Sequence, residues 1–142
     1  GGAQKTHERF LRSLFPYGGE NMRQKSEKER QLWAQFDALQ LGTGWVEDDI
    51  GKLQILVEDV YGDSHPGSAH LDAVSRQAVY GVFEEGAFPA QFHVTDICDG
   101  CAQGHDGMNM VLASREVICD MLEIHAGFVP WDGMVMNRFR HI

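Results

Sequence analysis

A chain of 142 residues suffices for one domain or for a piece of a larger one, and 43% apolar with 23% charged residues is an ordinary globular composition. The formal charge of −9 argues against a nucleic-acid or anionic-membrane partner, and the acidic residues, spread along the chain, read as a solvated surface. No apolar run approaches the ~20 residues of a membrane span, no signal-peptide pattern opens the chain, and three cysteines fit no disulfide framework, so a reducing cytoplasm is the expected setting.

Gly1-Gly2-Ala3-Gln4 opens the chain without an initiator methionine, so its start reads as processed, tagged or cut from a longer sequence. Thr6 to Tyr17 carries a short apolar cluster, Phe10, Leu11, Leu14 and Phe15, closed by Pro16 and Gly18-Gly19. Glu20 to Leu41 is rich in good helix formers, with Leu32, Trp33, Phe36, Leu39 and Leu41 near one face, which predicts a surface helix with one buried stripe. Gly42-Thr43-Gly44 stops it, Trp45 to Gly51 reads as a loop or short turn, and residues 1–44 together form a helical lead-in.

Leu53 to Val60 is apolar enough for a strand buried on both faces, as parallel strands are. A loop of turn formers, Tyr61 to Gly67, follows, and Ser68 is placed to cap a helix running to Glu85. Leu71, Val74, Ala78, Val79, Val82 and Phe83 recur at helical spacing on it, and Gly86 ends it. Pro89 to Ile97 is a second strand. The helix from Asn109 to His125 shows Met110, Val111, Val117, Ile118, Met121 and Leu122 on one side, with Gly127 as its C-cap and a buried, inert Cys119. His70 and His125 lie within helices and need no special role. Trp131 to Met136 begins a third strand. The order predicts an α/β fold, a parallel βαβαβ three-layer unit with right-handed crossings, over residues 45–136; a small α+β domain is the alternative.

The loops after the first two strands then open on one edge of the sheet, where α/β folds bind ligands. The second holds Asp96, Cys98, Asp99, Cys101, His105 and Asp106 among three glycines. Cys98-Asp-Gly-Cys101 is a C-x-x-C pair, but a thioredoxin-like pair belongs at a helix N-terminus, and Cys101 stands several residues ahead of the helix. Zinc held by Cys98, Cys101 and His105 would make the chain a non-catalytic zinc- or partner-binding module, but neither a second C-x-x-C nor a paired histidine supports it. Asp96, Asp99 and Asp106 are hard oxygen donors of the kind Mg²⁺ takes. Asp96 and Asp106 read better as turn or helix caps, which leaves Asp99, beside a glycine just past a strand, as the candidate metal ligand.

The run from Asp99-Gly-Cys-Ala-Gln-Gly-His-Asp-Gly-Met108 to Ser114-Arg-Glu-Val-Ile118 resembles the signature of the dihydroxy-acid and phosphogluconate dehydratase family. Lys52-Leu-Gln-Ile55, His65-Pro-Gly-Ser-Ala-His-Leu71 and Gly86-Ala-Phe-Pro89 fall in the family's order upstream, so the resemblance spans about Trp45 to Met136. It implies the N-terminal portion of an enzyme, expected to be a homo-oligomer, that removes water from a 2,3-dihydroxy acid such as a sugar acid, giving a 2-keto acid. It also implies an iron–sulfur cluster, a Mg²⁺ that holds the substrate, and Asp99 as a Mg²⁺ ligand.

Departures from the pattern qualify that expectation. Pro66-Gly67 stands where some members have a Pro-Cys cluster ligand, and Cys101 stands where a small aliphatic residue is usual. Cys98 precedes the Asp-Gly without being a family ligand. Beyond Met136 the family continues into a Cys-Asp-Lys motif, whereas this chain ends in a divergent tail, residues 137–142. The resemblance therefore implies a chain truncated or diverted after the third strand and inactive by itself.

Overall fold

The computed structural model of the chain describes residues 25–33 and 35–138. The apolar cluster at Thr6–Tyr17, the first residues of the expected long helix and the end of the tail lie outside them. The described elements are α1 (Lys25–Leu32), α2 (Gln35–Gly42), α3 (Glu47–Ile50), β1 (Gln54–Val60), α4 (Leu71–Glu84), β2 (Phe88–Val94), α5 (Asp99–Ala102), α6 (Gly107–Phe128) and β3 (Gly133–Asn137).

The three strands form one parallel sheet in the order β2-β1-β3, so the expected parallel α/β unit is what the chain adopts. β1 is central and buried at all seven positions, which suits Ile55, Leu56, Val57 and Val60 and leaves Gln54, Glu58 and Asp59 as buried polar groups. Pro89 is tolerated in β2 because β2 is an edge strand and leaves one side of its backbone unpaired.

Helices cover both faces. Phe92 of β2 stacks on His125 of α6, with ring centroids 3.8 Å apart and planes within 6°. Asp59 lies beside His93 and Asn137 in the strand register, on the opposite pleat, and Asn137 donates from Nδ2 to Ser75 Oγ of α4 at 3.0 Å. Val60, Leu71, Val94 and Ile118 form the core cluster, with Phe92, Ile97 and Leu122 packed against it. Each such side chain taken from water contributes about 1.5–3 kcal/mol.

Several expected boundaries and faces are corrected. The surface helix is broken at Trp33 into α1 and α2, and Leu32 (78% exposed), Trp33, Leu39 and Leu41 are not buried. What ties α1 down is polar: fully buried Ser26 gives its N–H and Oγ–H to the two Asp132 oxygens at 3.0 and 2.7 Å, and Arg30 donates to the Ile50 carbonyl. Asp132 also accepts the Gln54 N–H at 2.9 Å, joining α1, β1 and the approach to β3. Residues 47–50 form a helical turn, with the Asp49 carboxylate accepting the Val46 N–H.

α4 starts at Leu71 rather than beside Ser68, whose hydroxyl turns inward to the Gly62 carbonyl at 2.8 Å. Gly86, with φ +77°, does end the α4 segment. Gly127 does not cap α6, which runs through it to Phe128. On α6 only the stripe through Val111, Ile118 and Leu122 faces the sheet. Met110, Val117, Met121 and the thiol of Cys119 are exposed, because no other described element covers that side of the helix.

Candidate functional site

The loops after β1 and β2 meet at the carboxyl edge of the sheet, and Asp96 is the joint. Its carboxylate accepts the Ser64 N–H at 2.8 Å and lies 3.4 Å from Ser68 Oγ. Gly62 passes so close that a Cβ there would overlap the Asp96 carboxylate, which is the reason for glycine at that point in the loop. Partial burial works against ionisation of Asp96, but hydrogen bonds from Ser64, its own amide and Ser68 outweigh it and hold the carboxyl below the usual range. Asp96 therefore fastens one loop to the other, in line with the capping role expected of it.

The β1 loop carries a second fixed group. His65 is buried, with Nδ1 accepting the Gly67 N–H at 3.1 Å. Its Nε2 is buried with no hydrogen-bond partner among the described residues.

Immediately after this joint the chain makes the single helical turn α5, with Cys98 at its N-cap. The stretch ahead of α6 is thus not wholly an open loop, and the C-x-x-C pair spans one helical turn. Asp99 lies in that turn just past β2, at the expected edge, with its side chain 43% exposed. Its Oδ2 pairs with Arg115 Nη2 of α6 at 2.9 Å. The residue of α5 that reaches the β1 loop is instead Cys101, whose Sγ lies 3.8 Å from the Ser64 carbonyl.

His105 has both ring nitrogens engaged with backbone: Nδ1 accepts the Gly107 N–H at 3.0 Å, and Nε2 lies 3.0 Å from the Cys101 carbonyl. Asp106 stands at the N-cap of α6 but makes no side-chain cap bond. Cys98, Cys101 and His105 are therefore not assembled around a common point, and no group of three His, Cys, Asp or Glu among the described residues is arranged to hold a metal ion. The half-exposed Asp99 carboxylate would suit a Mg²⁺, an ion that takes few protein ligands and retains waters. An iron–sulfur cluster, which needs several thiolates, does not fit the described cysteines.

Two features escape reasoning from sequence. Glu58, fully buried on the central strand, is met by Arg138, with Nη2 3.3 Å from Oε1 and Nε 3.4 Å from Oε2. Asp59, also fully buried, pairs with His93 Nδ1 through one oxygen, and the other has no hydrogen-bond partner among the described residues. Both carboxylates sit in a run that reads as apolar; two acids in one strand were the available signal, and their partners, His93 of β2 and Arg138 just past β3, are distant in sequence. Among the described residues no helix is long and apolar enough to cross a membrane.

Comparison with known proteins bears on the same stretch. Residues 52–138 match the family model described as dihydroxy-acid/6-phosphogluconate dehydratase N-terminal. A dihydroxy-acid dehydratase of Methanococcus maripaludis is 37% identical over 99 residues, covering 70% of this chain and 18% of that protein. Dihydroxy-acid dehydratase 1 of Methanosarcina acetivorans is 36% identical over 115 residues, 81% of this chain and 21% of that protein. The dihydroxy-acid dehydratase of Halothermothrix orenii is 38% identical over 93 residues, 66% of this chain and 17% of that protein. The matched region spans about a fifth of the length of these curated relatives.

Proposed function

The chain belongs to the dihydroxy-acid/6-phosphogluconate dehydratase family, of which it represents the N-terminal domain, and from that premise we propose that it forms one wall of a dehydratase site. The reaction is loss of water from a 2,3-dihydroxy acid, a sugar acid among them, to give a 2-keto acid. The observation that carries this reading is the position of Asp99: a hard donor of the family-like run, it lies half exposed in the turn just past β2, beyond the joint that Asp96 makes with the β1 loop.

Bound Mg²⁺ would supply charge to hold and orient the substrate's oxygens, and an iron–sulfur cluster in the whole enzyme would supply Lewis acidity at the leaving hydroxyl. The chain's own residues position. Asp99 offers a carboxylate oxygen to Mg²⁺, with Arg115 holding its other face in register. Asp96, bonded to Ser64 and packed on Gly62, keeps the two loops at a fixed separation so that Asp99 is presented rather than left to drift. Further metal donors and the group that takes the C2 proton come from residues other than those described, so this chain alone does not turn over.

Mn²⁺ titration followed by electron paramagnetic resonance, with Asp99→Ala as the control, tests the ligand assignment. Weak binding that disappears in Asp99→Ala is expected; binding unchanged by the substitution sinks it. Iron-reconstituted chain with Mg²⁺ and a panel of aldonic acids should form no 2-keto acid, whereas a longer chain supplying the Cys-Asp-Lys segment should. Turnover by the chain that survives Asp99→Ala would overturn the whole site.

A further inference from the structure

The C-x-x-C pair has no part in that reading, and its geometry is specific. Cys98 is the N-cap of α5 in extended backbone (φ −137°, ψ 116°), and Cys101 sits one turn on, so the two residues bracket a single helical turn. In regular helix the Cα separation at this spacing falls within the range a disulfide bridges, while the Cβ atoms, about 5–6 Å apart, must draw together by roughly 1–2 Å for the bond to close. Gly100 places no side chain between them, and Cys98 Sγ lies 3.5 Å from where a Cβ of residue 100 would be, folded over the turn. Both thiols are free, Cys101 exposed and Cys98 half-buried. Cys119, the other cysteine, stands on α6 and outside this turn.

We propose that Cys98 and Cys101 are a thiol–disulfide modification site, closing reversibly into an intramolecular disulfide that clamps the α5 turn. The oxidant is a low-molecular-weight disulfide such as oxidised glutathione. One cysteine, on losing its proton, attacks a glutathione sulfur and expels a glutathione thiolate, which takes up a proton. The other cysteine then displaces the remaining glutathione in the same way. The protein S–S bond forms as the glutathione S–S bond breaks, two thiols are oxidised, and two glutathione molecules leave reduced. Closure withdraws the Cys101 sulfur from the Ser64 carbonyl, so oxidation also loosens one link between α5 and the β1 loop.

The test is anaerobic equilibration of the full chain in glutathione buffers of graded oxidation, acid quenching, alkylation, trypsin digestion and mass spectrometry. Arg76 and Arg115 bound one tryptic peptide that holds both Cys98 and Cys101, and Cys119 falls in the next. In oxidising buffer the first peptide should be lighter by two hydrogen atoms and carry no alkyl group, and dithiothreitol should restore two alkylatable thiols. Cys119 should yield no intramolecular product, and Cys119→Ser should close as the parent does. Cys98→Ser should abolish closure and accumulate a single glutathione on Cys101. The proposal is overturned if both thiols stay alkylated in fully oxidising buffer. It is equally overturned if they carry two separate glutathiones, or if only disulfides between chains form.

Discussion

Asp96 and Gly62 share one space: the carboxylate that ties the β2 loop to Ser64 fills the volume a side chain at position 62 would need. Gly62→Ala must therefore push Asp96 off the Ser64 amide or shift the β1 loop. It should cost about 1–3 kcal/mol of stability, the range of an overpacked site. Urea unfolding monitored by tryptophan fluorescence checks this, with Gly42→Ala, where a Cβ would meet nothing within 4 Å, as the benign comparison.

Gly81 is the contrasting case. It lies inside α4, and an added Cβ would have no heavy atom within 4 Å. Gly81→Ala should raise stability by roughly 0.5–1 kcal/mol, because alanine loses less backbone entropy on entering a helix. A lower denaturation midpoint would show that α4 is more closely covered there than the structure has it.

Glu58 and Asp96 should leave opposite signatures in pH titrations of stability. Burial, partly offset by Arg138, raises the folded-state carboxyl of Glu58 above its ordinary value of 4.5, so its favourable contribution is present below about that pH and is lost as pH rises through the folded value. Asp96 is lowered from 3.8; its contribution is present above that value and is lost as pH falls through the folded one. Glu58→Gln should accordingly be more stable than the parent at pH 7, with the difference shrinking on acidification to pH 4. Arg138→Ala, which strands the buried carboxylate, should destabilise by roughly 2 kcal/mol at pH 7, less than the ~3–5 of a fully buried pair because the Arg138 side chain is 27% exposed.

Asp132 joins three segments through bonds from Ser26 N, Ser26 Oγ and Gln54 N. Asp132→Ala should cost about 2–3 kcal/mol, since hydrogen bonds to a charged acceptor are among the stronger ones. It should also release α1, so that trypsin cuts at Lys28 and Arg30 well before the sheet is attacked. Unchanged cleavage order would mean α1 is held by something else.

The pair between Asp99 and Arg115 is a surface ion pair, with the two side chains 43% and 50% exposed. Arg115→Ala should therefore shift unfolding by less than about 1 kcal/mol. That separates stability from function at this position: loss of metal binding in Asp99→Ala would not be an unfolding effect, and circular dichroism melts of both variants should overlay the parent.

What the sequence disclosed follows from periodicity. The apolar residues of β1 marked a strand buried on both faces, which it is, and the glycine and polar run after β2 marked a sheet-edge loop, of which residues 99–102 form a helical turn. Periodicity misled on α6 and on the lead-in, because helical spacing marks an apolar face without saying whether anything covers it. Val117 and Leu32 have the spacing and no cover. Polar partnerships between distant residues, such as Ser26 with Asp132 and Glu58 with Arg138, leave no local pattern and became visible only with the chain folded.

The central place of β1 also governs when this domain can form. With every pairing among the described residues parallel, no hairpin among them offers an early sheet nucleus: 34 residues separate Asp59 from His93 beside it, and 78 separate Gln54 from Asp132 across the other edge. During synthesis β1 therefore emerges long before either neighbour, the central strand waiting with both edges open. Such long closures are slow, and the interval is one in which chaperones, or other nascent copies, compete for the strand.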